Sequence, residues 1–94
     1  MFSQTLYLLR SKVDGRYITA HPNPDSTQGY LLLFSEHFDA LSYLNKHASE
    51  IADKFSVESI PGSQLKSVLQ RWSFKGIGLI KDPILPRIEF MSVN

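Results

Sequence analysis

Tyr30-Leu31-Leu32-Leu33-Phe34 is an apolar run without polar alternation, and Ser35 follows it directly. Runs of this kind are typical of strands covered on both faces, whereas a strand with one solvated face alternates apolar and polar residues. We therefore expect residues 30–34 to form a central strand of a sheet. Because serine favours helix N-caps, Ser35 predicts that a helix begins immediately after this strand.

A long amphipathic helix is predicted next. At about 100° per residue, the apolar side chains of this segment fall on one face of the helix. These are Phe38, Leu41, Leu44, Ala48, Ile51 and Ala52. Charged side chains occupy the opposite face, and the helix is expected to fray or break near His47. The apolar face is predicted to pack against the sheet.

The segment before the central strand predicts a β-hairpin. Residues 6–10 are mostly apolar and typical of a strand. Asp14-Gly15 favours a type I′ turn because both residue types tolerate positive φ. The returning strand is predicted at residues 16–20, which places Leu9 opposite Ala20.

The second half of the chain predicts three strands and a shorter helix. The strands are expected at residues 55–60, 77–80 and 87–91, and Gly76 is expected to end the helix. The apolar stripe of that helix consists of Leu65, Val68, Leu69 and Trp72. The predicted order is β-β-β-α-β-α-β-β. We expect an α+β fold in which both helices pack on one face of a mixed sheet, within one domain at residues 1–94.

Composition and charge exclude several classes of protein. A chain of 94 residues with 43% hydrophobic and 20% charged residues is typical of one globular domain. A formal net charge of +1 does not indicate a nucleic-acid-binding protein. The chain has no cysteine, which excludes disulfides, thiolate metal sites and a cysteine nucleophile. Because neither a bilayer-length apolar run nor a leader-like start is present, we expect a cytoplasmic protein without membrane association.

No residue pattern predicts catalysis. The chain lacks the Gly-x-Ser-x-Gly nucleophile elbow. It also lacks a glycine-rich phosphate-binding loop that leads from a strand into the N-terminus of a helix. His37 and His47 lie about 15 Å apart along the axis of the predicted helix and cannot bind one metal ion together. His37 is expected to be a neutral, hydrogen-bonded residue at the edge of the core, and His47 a surface residue. We assign no catalytic, cofactor-binding or metal-ligating residue.

The loop at residues 21–29 leaves an alternative open. It contains two prolines and begins with His21, and Asp25 follows within it. Loops on rigid strands often carry functional sites, and a histidine beside an aspartate can bind a metal or transfer a proton. With Tyr17 nearby, these residues would form one wall of a pocket in a small-ligand-binding domain or a small enzyme.

A second alternative is nucleic-acid binding through the basic C-terminal third. Arg71-Trp72-Ser73-Phe74-Lys75 interleaves basic and aromatic residues, a pattern typical of surfaces that stack single-stranded bases. A core role for Trp72 and Phe74 is favoured instead, because they continue the helix stripe and lead into the sheet, and nucleic acid is not the expected partner. This alternative requires five basic residues to converge on one face: Lys66, Arg71, Lys75, Lys81 and Arg87.

If the last strand lies at an edge of the sheet, its free backbone groups can pair with another chain. Arg87 and Glu89 on its outer face favour a monomer, so the sequence leaves both homodimer and monomer open. Nearly every apolar residue has a structural role, and no polar groups converge on a site. We therefore expect a small interaction or regulatory module that binds a protein, including a second copy of itself, without catalysis.

The segment at residues 30–83 resembles the N-terminal domain of SseB-like proteins. In that family a strand followed by Phe-Ser/Thr leads into a helix, as in Leu33-Phe34-Ser35, and a Gly-apolar-x-Asn-Pro segment comes later. Gly78-Leu79-Ile80-Lys81-Asp82-Pro83 corresponds to it, with Asp82 where the family has Asn. The resemblance implies a small α+β fold and an accessory or binding role without known catalysis, and it transfers no functional residue. The pattern is also similar to that of small uncharacterised bacterial proteins.

Overall fold

A computed structural model describes residues 4–25, 27–85 and 87–92. Six strands and two α-helices follow one another in the order β1, β2, β3, α1, β4, α2, β5, β6. Their bounds are Thr5–Ser11 for β1, Thr19–Ala20 for β2, Tyr30–Phe34 for β3, His37–His47 for α1, Phe55–Pro61 for β4, Leu65–Arg71 for α2, Gly76–Asp82 for β5 and Arg87–Ser92 for β6. Short 3₁₀ segments precede β4 and α2, at Ser49–Lys54 and Gly62–Gln64.

The strands form one mixed sheet in the order β4-β1-β3-β5-β6, and β2 pairs with β3. The pair β3–β5 is parallel and the other pairs are antiparallel. Both the α+β class and the central position of residues 30–34 are confirmed. The strand β6 lies at an edge of the sheet, a position that the sequence left open.

The core consists of two clusters on opposite faces of the sheet, because successive side chains of a strand point to opposite faces. The α2 cluster consists of Leu6, Leu8, Leu31, Leu33, Ile60, Leu65, Leu69, Ile77 and Leu79. The α1 cluster consists of Leu9, Leu32, Phe34, Ala40, Leu44 and Ile80. Alternate residues of β3 thus belong to different clusters, and one helix covers each face.

The prediction that both helices pack on one face is wrong, and the strand order explains why. The chain crosses from β3 through α1 to β4 in one direction, and returns through α2 to β5 in the other. These three strands are parallel to one another. Parallel crossovers are nearly always right-handed. Two crossovers in opposite directions share that hand only when their helices lie on opposite faces.

The returning strand predicted at residues 16–20 is shortened to β2, which pairs with β3 and not with β1. A loop wider than predicted joins this segment to β1, which it meets through a bridge between Arg10 and Tyr17. Gly15 has φ +73°, but Asp14 does not have positive φ, so the loop is not a type I′ turn. The side chain of Asp14 instead accepts the backbone N–H of Arg16 at 3.0 Å, which favours the wider loop. Tyr17 therefore lies opposite Arg10. Residues 19–20 pair with β3, so Leu9 does not lie opposite Ala20.

The face of α1 that meets the sheet agrees only in part with the predicted one. Leu44 is buried as predicted, and Ala48 and Ala52 beyond the helix also pack on the α1 cluster. The other buried residue of the helix is Ala40, whose small side chain allows close approach to the strands. The predicted break near His47 is confirmed, because the α-helix ends there. The N-cap is Glu36 without a side-chain hydrogen bond, so the prediction of a Ser35 cap is wrong.

The C-terminus of α2 is closed by Ser73 rather than by Gly76. The N–H of Phe74 donates to the carbonyl of Leu69 at 2.9 Å, and the N–H of Ser73 donates to that of Gln70 at 3.3 Å. This is the Schellman pattern, and Ser73 takes its left-handed position with φ +57°. Gly76 lies inside β5, packed closely against the backbone of β6.

Candidate functional site

The outer side of α1 carries an exposed apolar surface. Phe38 is 73% exposed and Leu41 is 41% exposed, although the sequence predicts that both pack on the sheet. They lie on the outer side because Ala40 and Leu44 occupy the inner one. A phenylalanine left in water on a helix forgoes roughly 1.5–3 kcal/mol of burial. A single exposed apolar side chain is common on protein surfaces, so its meaning depends on the apolar residues beside it.

The turn between β5 and β6 places more apolar residues beside this helix. One carboxylate oxygen of Asp82 accepts the backbone N–H groups of Ile84 at 2.9 Å and Leu85 at 3.2 Å. Because these two bonds favour the ionised form, they hold the pKa of Asp82 below its ordinary value of 3.8. The same bonds fix the turn and leave the Ile84 and Leu85 side chains exposed.

His47 links this turn to the end of α1. Its Nε2 atom lies 3.2 Å from the carbonyl oxygen of Pro83, and its ring packs against Tyr43 at 4.8 Å between centroids. The prediction that His47 is simply a surface residue is therefore incomplete. His37, predicted at the edge of the core, is exposed and contacts the ring of Tyr7 at 5.8 Å.

The helix α1 and the turn between β5 and β6 border a shallow, open cleft of about 450 Å³. We call this cleft with its rim the Phe38 surface; it is lined by Phe38, Leu41, Ser42, Asn45, Lys46 and Ile84. Beyond it, α1 packs mainly on β1, β3 and β4. On β6, Ile88 packs against the α1 cluster, whereas Phe90 lies against Tyr30, with 4.9 Å between ring centroids, and is 39% exposed. The lining of the Phe38 surface combines three apolar side chains with one hydroxyl, one amide and one ammonium group.

The structure does not bring the predicted loop residues together. Pro22 and Asn23 line a cleft of about 170 Å³ with Tyr30 and Lys75, but His21 and Asp25 are not among its lining residues. His21 lies against Gly29, with Nε2 2.7 Å from the position that a β-carbon there would occupy. Tyr17 lines a different cleft. Ser26 of this loop lies outside the described residues, and the described residues contain no group of three potential metal ligands.

A second candidate site is the aromatic pocket, which we define as Tyr17, Trp72 and Phe74 with the adjoining Arg16. These residues and Thr19 line an open cleft of about 340 Å³ on the α2 side of the sheet. The rings of Trp72 and Phe74 are nearly parallel, at 9° and 6.5 Å between centroids. Tyr17 stands at a steep angle to both, at 5.1 Å from Trp72 and 6.4 Å from Phe74.

Trp72 does not fill the core as predicted. Phe74 and Tyr17 pack against the α2 cluster, but Trp72 does not belong to it and remains 38% exposed. The reason is that α2 ends at Arg71, so Trp72 falls at its C-cap instead of inside the apolar stripe. The basic-aromatic pattern at residues 71–75 signals this site. Arg16 and Tyr17, more than fifty residues earlier in the chain, carry no such signal.

The five basic residues of the C-terminal third do not form one cluster. Lys66 and Arg71 lie on α2, whereas Lys81 pairs with Glu89 at 3.9 Å near the opposite end of β5. Lys75 and Lys81 are about 20 Å apart along an extended strand. The positive charge beside the aromatic pocket comes instead from Arg10, whose guanidinium lies 5.1 Å from the Tyr17 ring centroid, and from Arg16.

None of the helices in the described residues combines the length and apolar character of a membrane span. Comparison with known proteins finds no matching family model, no matching curated protein and no matching solved structure. The resemblance of residues 30–83 to SseB-like proteins therefore stays a prediction.

Proposed function

We propose that this protein is a small cytoplasmic interaction module that self-associates through the Phe38 surface. The observation that carries the proposal is the 73% exposure of Phe38, which lines a shallow depression together with Leu41 and Ile84. A twofold interface brings the same surface of two copies together. The exposed Phe38 side chain of each copy can then contact the apolar depression of the other.

The distribution of residues along α1 fits a pairing of two antiparallel copies of this helix. With the twofold axis near Leu41 and Ser42, Phe38 of one copy lies over Asn45 and Ile84 of the other. Ionisable residues agree with this orientation, since Asp39 lies in the first turn of α1 and Lys46 in its last. Antiparallel pairing brings these opposite charges together across the interface. It also places the N-terminal end of each helix dipole beside the C-terminal end of the other.

The exposed apolar area suggests a weak dimer. At roughly 150–250 Å² for a fully exposed large apolar side chain, the exposed fractions sum to roughly 500 Å² per copy. Phe38, Leu41 and Ile84 of the Phe38 surface supply roughly 300 Å² of this area. Leu85 and Phe90, which lie outside its lining, supply the rest. An interface that covers all five residues would bury roughly 1,000 Å² over two copies, the lower limit for a specific interface. We therefore expect a concentration-dependent equilibrium instead of a permanent dimer.

Analytical ultracentrifugation over a concentration series tests the proposal. The wild-type chain is expected to approach twice the 10.7 kDa of one chain at roughly 100 µM and above. Phe38→Asp should give a monomer throughout that range. Val13→Asp is the matched control, because Val13 is 77% exposed but lies in the β1–β2 loop, so it adds the same charge elsewhere.

Two outcomes would overturn the proposal: a wild-type monomer throughout the series, or equal effects of Phe38→Asp and Val13→Asp. A wild-type monomer that instead binds one protein through Phe38, as shown by loss of that complex in Phe38→Asp alone, would also exclude self-association. Circular dichroism of both variants establishes that they are folded.

A further inference from the structure

We infer that the aromatic pocket binds a base of single-stranded nucleic acid, with the attached phosphate at Arg16. This site is separate from the Phe38 surface and does not depend on self-association. It lies on the α2 side of the sheet, whereas the Phe38 surface lies on the α1 side. The proposal combines three observations: the position of Trp72, the backbone at Ser73 and the sign of the surrounding charge.

Trp72 is the first observation. It is the single tryptophan of the chain, yet it stands outside the core clusters and touches Tyr17 and Phe74. Its flat ring therefore has surface open to solvent that a second flat ring can cover. Stacking of a base on an aromatic side chain is a main source of affinity in proteins that bind single strands.

Ser73 is the second observation. With φ +57° it is the one residue other than glycine with positive φ in the described residues. Trp72 is the C-cap of α2, and Phe74 belongs to the segment that follows. The two side chains are therefore not alternate residues of one regular strand. The left-handed backbone at Ser73 closes α2 between Trp72 and Phe74, and the two rings lie within 9° of parallel.

Charge distinguishes between possible occupants. An aromatic pocket alone would suit a cation as well as a base. Arg16 lines this pocket, and Arg10 lies over Tyr17. Their acidic neighbours Asp14, at 3.9 Å from Arg16, and Glu58, at 3.7 Å from Arg10, offset part of this charge. A cationic ligand would be repelled by the guanidinium in the lining, so a flat ring carrying a phosphate is favoured.

The charge around the pocket favours a strand over a free nucleotide. Two guanidinium groups adjoin it, Arg16 in the lining and Arg10 over Tyr17. A strand offers a phosphate to each of them, whereas a mononucleotide carries only one.

Fluorescence anisotropy of a labelled ten-nucleotide oligo-dT strand, titrated with the full chain at about 50 mM salt, tests this inference. Binding should also quench Trp72, which reports on the pocket because no other tryptophan is present. Trp72→Ala should weaken binding roughly 5- to 100-fold, the effect of removing one stacked base, and Trp72→Phe should restore most of it. Arg16→Gln should weaken binding and flatten the dependence of log K on log salt by about 0.7, because the protein then neutralises one phosphate fewer.

The matched control is Lys81→Gln, which removes one positive charge near the far end of β5 and should change affinity less than twofold. The mononucleotide dTMP is titrated in a parallel experiment and should bind more weakly than the strand. The inference is overturned if the strand fails to bind, if dTMP binds as tightly as the strand, or if Arg16→Gln and Lys81→Gln have equal effects. Phe38→Asp should leave strand binding unchanged, which separates this result from that of the proposed self-association.

Discussion

The substitution Gly76→Ala should be among the most damaging single-methyl additions to this protein. An ideal β-carbon at Gly76 would lie 2.0 Å from the carbonyl oxygen of Met91 and 2.8 Å from both the carbonyl carbon of Met91 and the α-carbon of Ser92. All three atoms belong to the backbone of β6, so no side-chain rotation removes the clash. The strands must separate by roughly 1 Å or more to restore an ordinary contact distance.

The cost follows from what that separation breaks. Overpacking costs roughly 1–3 kcal/mol, and one or two ladder hydrogen bonds at the end of the β5–β6 pair add about 1 kcal/mol each. We expect Gly76→Ala to lower the free energy of unfolding by about 2–4 kcal/mol, out of the 5–15 kcal/mol typical of such a domain. The melting temperature should fall by roughly 10–25 °C for a chain of this size.

Gly78→Ala is the matched comparison on the same strand. Its added methyl would meet only side-chain ends, Ile88 Cγ2 at 3.0 Å, Leu32 Cδ2 at 3.1 Å and Phe90 Cε1 at 3.2 Å. Since such atoms can move by a few tenths of an ångström, the cost should stay within about 1 kcal/mol. Urea denaturation of both variants at one protein concentration measures the difference. A Gly76→Ala variant no less stable than Gly78→Ala would refute this reasoning.

Two further substitutions test local interactions. Ser73→Gly should raise the free energy of unfolding by about 0.5–1 kcal/mol, because glycine accepts the left-handed backbone without the steric cost of a β-carbon. Thermal denaturation measures this change. Gln70→Gly, inside α2, is the control and should lower the free energy of unfolding by about 1 kcal/mol. Because the folded pKa of Asp82 lies below its unfolded value near 3.8, its ionised form stabilises the fold above that pH, and the contribution is lost as the pH falls through the folded pKa. Asp82→Ala should therefore be less stable than the wild type at neutral pH and should lose less stability on acidification; parallel urea-midpoint curves between pH 6 and pH 2 would contradict this.

Much of the fold could be predicted because local patterns carry the information. The apolar run of β3 has no polar alternation, and the structure places that strand in the middle of the sheet, covered on both faces. The end of α1 at His47 was also predictable. The register of the hairpin was not, because the side chains of Ser11 and Asp14 accept backbone N–H groups within the loop and so favour a wider loop over the type I′ turn.

The candidate sites were less predictable, because each depends on which face of an element meets the sheet. The apolar pattern of α1 predicts that Leu44 faces inward, but nothing local indicates that Ala40 joins it while Phe38 faces outward. The residues at 71–75 did indicate an aromatic and basic surface. Assigning Trp72 to the core failed because α2 ends one residue earlier than the apolar stripe suggests.

By itself, the amino-acid sequence determined which segments form strands and helices, since side-chain periodicity and residue type act over a few neighbouring positions. Tertiary structure alone decided the strand order β4-β1-β3-β5-β6, and with it the placement of α1 and α2 on opposite faces. It also decided that Arg16 and Tyr17 meet Trp72 and Phe74. These outcomes depend on pairing between distant segments and on the hand of the crossovers, and no local pattern encodes either.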